Sequence, residues 1–249
     1  MKFNIWKLLE LCIDFIYPPR CLDCGVEGFY SCSSCTKKLK PHSESCPTCH
    51  TTSPHYQICI ACKAKERIKG KKSWSQIEGI LINFQYTPLA KALVYQLKYN
   101  HAASLAKVIG QKIWLLISTH PLMRSNKSIA ISYVPSHRIR KHRVKGYNQS
   151  ELIARKVAND LHLPLIKATT RTRHTKSQVK LSRKKRFSNL KRAFSIHPDS
   201  WKQLNEIDTL IIVDDITTTG STLIEVARCI KKQHPRIKIR GAVFARHGV

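Results

Sequence analysis

The chain predicts an α/β fold, a largely parallel sheet flanked by helices, with a small cysteine-rich module in front of it. Three observations carry this. From residue 75 to 245, apolar segments of strand length alternate with amphipathic segments of helical length, as in strands joined by crossover helices. Eight of the ten cysteines fall into four Cys-x-x-Cys pairs before residue 63. The segment from Leu210 to Thr222 passes from a buried strand into a helix through two acids, a run of hydroxyls and one glycine. A chain of 249 residues accommodates one large domain or two modest ones. The composition shift places a module at 1–70 and the sheet domain at 71–249.

The first segment, Met1 to Ile16, is apolar on one helical face but carries Lys7, Glu10 and Asp14. Those charges and the short span argue against a secretory signal or membrane helix. The expectation is an amphipathic helix docked on its own protein, in preference to membrane contact. A cytoplasmic protein without an integral membrane segment follows.

The cysteine pairs are Cys21/Cys24, Cys32/Cys35, Cys46/Cys49 and Cys59/Cys62. A Cys-x-x-Cys turn sets two thiolates on one side of a tight loop, and two such turns complete a tetrahedral Zn²⁺ site. Disulfides would not persist in a reducing cytosol, and four successive pairs do not fit a thioredoxin-like redox site. Cys24-Gly25 and Cys49-His50 read as knuckles, while Cys32/Cys35 and Cys62 precede helix-forming residues. That repeat favours sequential sites, Cys21/Cys24/Cys32/Cys35 and Cys46/Cys49/Cys59/Cys62. A crossed arrangement, first pair with third, stays open. Cys12 and Cys229 lie on apolar helical faces and read as packed thiols.

Residues 63–72 are polar and basic and read as a linker. A strand is expected over 75–86, helices over 89–97 and 103–117, and a buried strand over 128–134 ended by Pro135. After a basic loop, an amphipathic helix spans 149–161. Residues 167–194 read as one long loop. Strands at 207–213 and 237–245 complete the sheet, with a helix opening at Ser221 between them. Ligands of such sheets bind at the carboxyl ends of the strands.

Charge is the other strong signal. Lys and Arg number 44 against 15 acids, a net +29, which predicts polyanionic or phosphorylated partners. From Gly79 to Pro198 the only acids are Glu151 and Asp160. The loop after Val134-Pro135 contains Arg143 and Lys145, suited to clasping a pyrophosphate. Ten Lys or Arg and no acid lie between Arg171 and Arg192; this stretch suits either a lid over a site or a nucleic-acid contact. His137, His142 and His174 read as neutral surface residues among these cations.

In Leu210–Thr222 a Gly/Ser/Thr turn feeds a helix N-terminus, which presents backbone N–H groups and the positive dipole end to a phosphate. Asp214 and Asp215 would repel a bare phosphate chain, but they suit sugar hydroxyls or an oxygen-bound Mg²⁺. A ligand with all three features is 5-phosphoribosyl-1-pyrophosphate. The segment closely resembles the binding signature of type I phosphoribosyltransferases.

The whole chain resembles the ComF family, competence-associated proteins with a cysteine-rich module before a phosphoribosyltransferase-like domain. The matching stretches are the Cys-x-x-Cys array, Leu97-Lys98-Tyr99, and Val134-Pro135 leading to Gly146-Tyr147-Asn148-Gln149. The series Arg173, Gln178, Arg186, Asn189 and the segment from Val213 to Thr222 complete the match. One departure is Lys145 with Tyr147 where the family has Arg and Phe; lysine keeps the charge but loses the bidentate fork. The resemblance implies a type I phosphoribosyltransferase-like sheet in which Asp214 and Asp215 hold ribose hydroxyls and Mg²⁺. Thr217, Thr218, Thr219, Gly220, Ser221 and Thr222 would cradle the 5′-phosphate. It implies pyrophosphate displacement with an unnamed acceptor, and a link to DNA uptake that suggests single-stranded DNA and the uptake machinery as partners. The alternative is a non-catalytic nucleic-acid-binding competence factor that keeps the fold as a ligand sensor or scaffold.

Overall fold

The computed structural model describes residues 18–68, 74–99, 102–125, 127–136, 147–173 and 189–248. The amphipathic segment expected over 1–16, with Cys12, lies outside them. Four strands form one parallel sheet: β1 (Gly79–Gln85), β2 (Ile129–Tyr133), β5 (Thr209–Thr217) and β6 (Lys238–Arg246), in the order β1-β6-β5-β2. All three pairings are parallel, so the carboxyl ends of all four strands share one edge. These are the four strands expected from the apolar runs. β5 runs further than its apolar stretch, because Asp214, Ile216 and Thr217 stay in register with Val243, Ala245 and Arg246 of β6.

Two layers of helix cover the sheet. On one face α3 (Pro88–Tyr99), α4 (Ala102–Ser118) and α5 (Gln149–Leu161) pack together, α4 against β1 and β6 and α5 against β2 and β5. α5 buries Ile153, Ala154, Val157 and Ala158, a helical stripe. Its other side carries the i,i+4 pairs Glu151–Arg155 and Lys156–Asp160. The Asn83 amide donates to the Lys112 carbonyl of α4. α7 (Ser221–Lys231) covers the opposite face, where its Leu223 packs over Gly241 beside Ile80. Asn83 and Ile80 are three residues apart on one strand and therefore point to opposite faces.

Residues 167–194 depart from the expected single loop. Thr169–Arg171 (β3) pairs antiparallel with Phe194–Ile196 (β4), and this ribbon packs against α7. Both strands are three residues long, too short for an alternation signal to stand out. The stretch 174–188, with His174 and Arg183 to Arg186, lies outside the described residues.

The cysteine-rich part, containing α1 (Ser33–Thr36) and α2 (Ile60–Ile68), is built onto the sheet. Its backbone closes the free edge of β1: Gln85 donates to Lys40 O, His42 to Asn83 O and Ile58 to Glu78 O. An edge strand exposes unpaired N–H and C=O groups, and the cysteine-rich chain satisfies them here. Gly79 makes the approach possible, since a Cβ there would collide with the Tyr56 carbonyl. At the other edge, Pro164 and Ile166 bond to Ile131 of β2. Residues 63–68, read as linker, form the end of α2. A short helix α6 (Trp201–Asn205), absent from the sequence reading, precedes β5.

Candidate active site

Asp214 and Asp215 stand in the last turn of the pleat of β5 and point to opposite sides of it. Each carboxylate is anchored locally. Asp214 Oδ1 accepts from Ser150 Oγ at 2.7 Å and from the Asp215 N–H at 3.0 Å. Asp215 Oδ1 accepts the Ile216 N–H at 2.7 Å, and its Oδ2 meets Lys98 Nζ at 2.9 Å. Burial, reinforced by the negative Asp215, raises the Asp214 carboxyl to about 7; the bonds from Ser150 and Asp215 and the charge of Lys98 only partly oppose this. Burial pulls the Lys98 ammonium down, but the two aspartates outweigh it and hold its pKa above the ordinary value. Among the described residues Lys98 is the one cation paired with these two acids. That fits a site completed by hydroxyls or a divalent cation.

The turn after β5 is tight. Gly220 takes φ +69°, a left-handed conformation that costs glycine nothing, and its N–H donates to Thr217 Oγ1 at 3.1 Å. Thr219 Oγ1 donates to Ser221 Oγ at 3.1 Å. α7 begins at Ser221, so the hydroxyls of Thr217, Thr218, Thr219, Ser221 and Thr222 surround the start of an 11-residue helix. The first-turn N–H groups of a helix have no intrahelical acceptor, and the dipole adds about half a positive charge there.

Sequence reasoning left two residues of this site unassigned. Lys98 stood in the family stretch Leu97-Lys98-Tyr99 without a role, and Ser150 follows Asn148-Gln149. Both stretches are fastened beside the acid pair. Tyr147 Oη donates to Leu97 O at 3.1 Å, and Asn148 Nδ2 donates to Val134 O at 3.0 Å. These bonds hold the two ends of the basic loop at the carboxyl edge. Arg143 and Lys145 within it lie outside the described residues, as do His137 and His142.

The two cysteine tetrads assemble as the sequential reading expects. Sγ atoms of Cys21, Cys24, Cys32 and Cys35 lie within 4.8 Å of one another, and so do those of Cys46, Cys49, Cys59 and Cys62. Cys24 and Cys32 sulfurs are 3.7 Å apart, and Cys49 and Cys59 3.6 Å. Four sulfurs about 2.3 Å from one centre stand about 3.8 Å apart, so the spacing fits a tetrahedral ion. Burial raises the Cys21 thiol, yet backbone N–H groups of Cys24, Cys32 and Asp23 prevail and bring it to about 6. Cys49 is brought to about 6 chiefly by the Thr51 hydroxyl and backbone. Cys21 and Cys49 are thus favoured as thiolates, the form that ligates metal, whereas the Asp23 carboxylate raises Cys35 and burial raises Cys62. Cys229 is a packed thiol, bonded to Phe194 O and raised to about 11 by burial.

With this geometry in view, the comparisons are specific. A phosphoribosyl transferase domain matches residues 148–249, which include the acid pair, the turn and Ser150; the sheet domain is phosphoribosyltransferase-like in fold. Over 209 residues the chain is 31% identical to Competence protein F of Haemophilus influenzae, covering 81% of this chain and 84% of that protein. It is 29% identical to the DNA utilization protein YhgH of Escherichia coli, with 80% and 83% covered. It is 26% identical to Competence protein ComFC of Bacillus subtilis, with 81% and 76% covered. The chain belongs to the ComF family. Among the described residues no helix is long and apolar enough to cross a membrane.

Proposed function

We propose that this protein binds 5-phosphoribosyl-1-pyrophosphate with Mg²⁺ at the carboxyl edge of its sheet and transfers the phosphoribosyl group to an acceptor. The observation that carries the reading is the electron-rich pair Asp214/Asp215 directly before a hydroxyl-lined turn at a helix start. In this reading Asp214 and Asp215 accept the ribose hydroxyls. Thr217 to Thr222 bind the 5′-phosphate through hydroxyls and first-turn N–H groups. Lys98 keeps the two carboxylates compatible until ligand arrives. Arg143 and Lys145 neutralise the pyrophosphate. Mg²⁺, when bound, supplies positive charge to the leaving group. The bond from the anomeric carbon to pyrophosphate oxygen breaks, pyrophosphate leaves with the electron pair, and a bond to the acceptor forms through an oxocarbenium-like state.

The cysteine tetrads are proposed as structural Zn²⁺ sites, since all four ligand positions are protein thiols, within a module ending near residue 70. Relatives named for competence and DNA utilization support a role in handling incoming DNA inside the cell. A second reading, a non-catalytic sensor or scaffold that binds single-stranded DNA, is favoured by the net charge of +29. Thermal unfolding separates ligand binding from its absence: millimolar 5-phosphoribosyl-1-pyrophosphate with Mg²⁺ should raise Tm by several degrees, because a ligand at 100 times its Kd adds about 2.7 kcal/mol. No shift would overturn the proposal. A shift without pyrophosphate release across a nucleobase screen would favour the sensor.

A further inference from the structure

A cleft of about 430 Å³ lies where the cysteine-rich module meets the carboxyl ends of β1 and β6. Lys40, His42, Ser45 and His50 come from the module, and Tyr86, Arg246 and His247 from the strand ends. Among the described residues no Asp or Glu lines it. Two fixed cations, three imidazoles and several hydroxyls therefore face a space of small-molecule size. The architecture holds Arg246 in place: it is buried, and its Nη2 donates to the Pro47 carbonyl of the second knuckle at 2.9 Å. The cleft adjoins the acid pair. His247 N–H donates to Thr217 O at 2.9 Å, the Tyr86 ring meets the His247 ring edge-on at 5.0 Å, and the Tyr86 hydroxyl feels both Lys98 and Asp215.

The strand order makes this cleft distinct from the donor's own anion sites. Asn148 is held to the Val134 carbonyl just beyond β2, across β5 from the cleft. The cleft is on the β6–β1 side. A ribose held on β5 would stand beside the cleft, with the β2 side of the strand left for the leaving pyrophosphate, as displacement at its anomeric carbon requires. We infer that this cleft seats the acceptor substrate and that the acceptor is a small anion bearing a carboxylate or a phosphate. The acceptor assignment rests on the proposed phosphoribosyl transfer; the small-anion site stands on the cleft's own residues. Its volume suits a small molecule better than a nucleic-acid strand, which needs a groove that tracks several phosphates.

The test is a pair of NMR titrations of the full-length, zinc-loaded protein, one with orthophosphate and one with benzoate. The imidazole signals of His42 and His247 report the cleft, and the amides of Thr219 to Thr222 report the turn. At least one probe should shift both histidines saturably, and Lys40→Gln/His247→Gln, two exposed positions, should weaken the His42 response at least five-fold while leaving the turn amides unchanged. Saturation by benzoate assigns a carboxylate, and saturation by orthophosphate alone assigns a phosphate. Histidines that respond to neither probe, or a His42 response unchanged in the double variant, overturn the inference. Silent turn amides with responsive histidines would instead count against the donor site and keep the cleft.

Discussion

Replacing Lys98 with Met removes the ammonium that pairs with Asp215 at the end of β5. At 2.9 Å the attraction is about 6 kcal/mol at an effective dielectric of about 20. Desolvation of both groups offsets most of it. Lys98 is 29% and Asp215 11% exposed at the side chain, so the cost lies below that of a fully buried pair, roughly 2 kcal/mol. The pH dependence carries the sharper signature. Asp214 sits at about 7 in the fold against an ordinary 3.8, mainly through burial and then through Asp215. A carboxyl raised in this way binds its proton more tightly folded than unfolded. Its stabilising contribution is fully present below about 4 and is lost as pH rises through 7. Lys98 opposes that rise, so the variant should suffer more at pH 8, with Asp214 ionised, than at pH 5. Guanidinium unfolding without Mg²⁺ is expected to give a loss of about 2 kcal/mol at pH 8 and a smaller one at pH 5, with Lys98→Arg close to wild type. Equal losses at both pH values, or none at pH 8, would refute the assigned electrostatics.

Metal analysis of purified protein should return two Zn²⁺ per chain, and a ratio near one would leave one tetrad without metal. Because the cysteine-rich backbone closes the edge of β1, stripping the metal should also lower Tm of the sheet, by about 5 °C or more; an unchanged transition would contradict the docking. Gly79→Ala drives a Cβ into the Tyr56 carbonyl and should cost about 1–3 kcal/mol, read by chemical denaturation, whereas a neutral result would mean the edge pairing yields easily. Binding to single-stranded DNA should weaken steeply with salt. Neutralising Arg183, Lys184, Lys185 and Arg186 together should reduce the slope of log K against log salt by about 3, and an unaltered slope would remove this stretch from the DNA-binding face.

The sheet was legible because each strand has a short, mostly apolar and largely buried core, as parallel strands do. The 149–161 helix matched to the residue because its apolar stripe and its flanks agree. The turn between β5 and α7 was legible because a glycine among hydroxyl residues, between an apolar run and a helical stripe, marks a left-handed turn and a helix start. Local pattern was silent on pairings distant in sequence. Lys98 reaches Asp215 and Ser150 reaches Asp214 only after α3 and α5 pack on the sheet. The closure of β1 by Lys40 to His42 and by Ile58 consists of backbone bonds, which leave no side-chain signature. The ends of residues 167–194 pair as β3 and β4 although Arg171 and its neighbours are too polar and too short to read as strand.

The measurement that bears most directly on the central claim is a calorimetric titration of the protein with 5-phosphoribosyl-1-pyrophosphate, with and without Mg²⁺, on wild type and on Asp214→Ala/Asp215→Ala. The expected result is one site per chain in wild type, strengthened by Mg²⁺, and no measurable heat of binding in the double variant. Wild-type affinity surviving in the double variant would contradict the account.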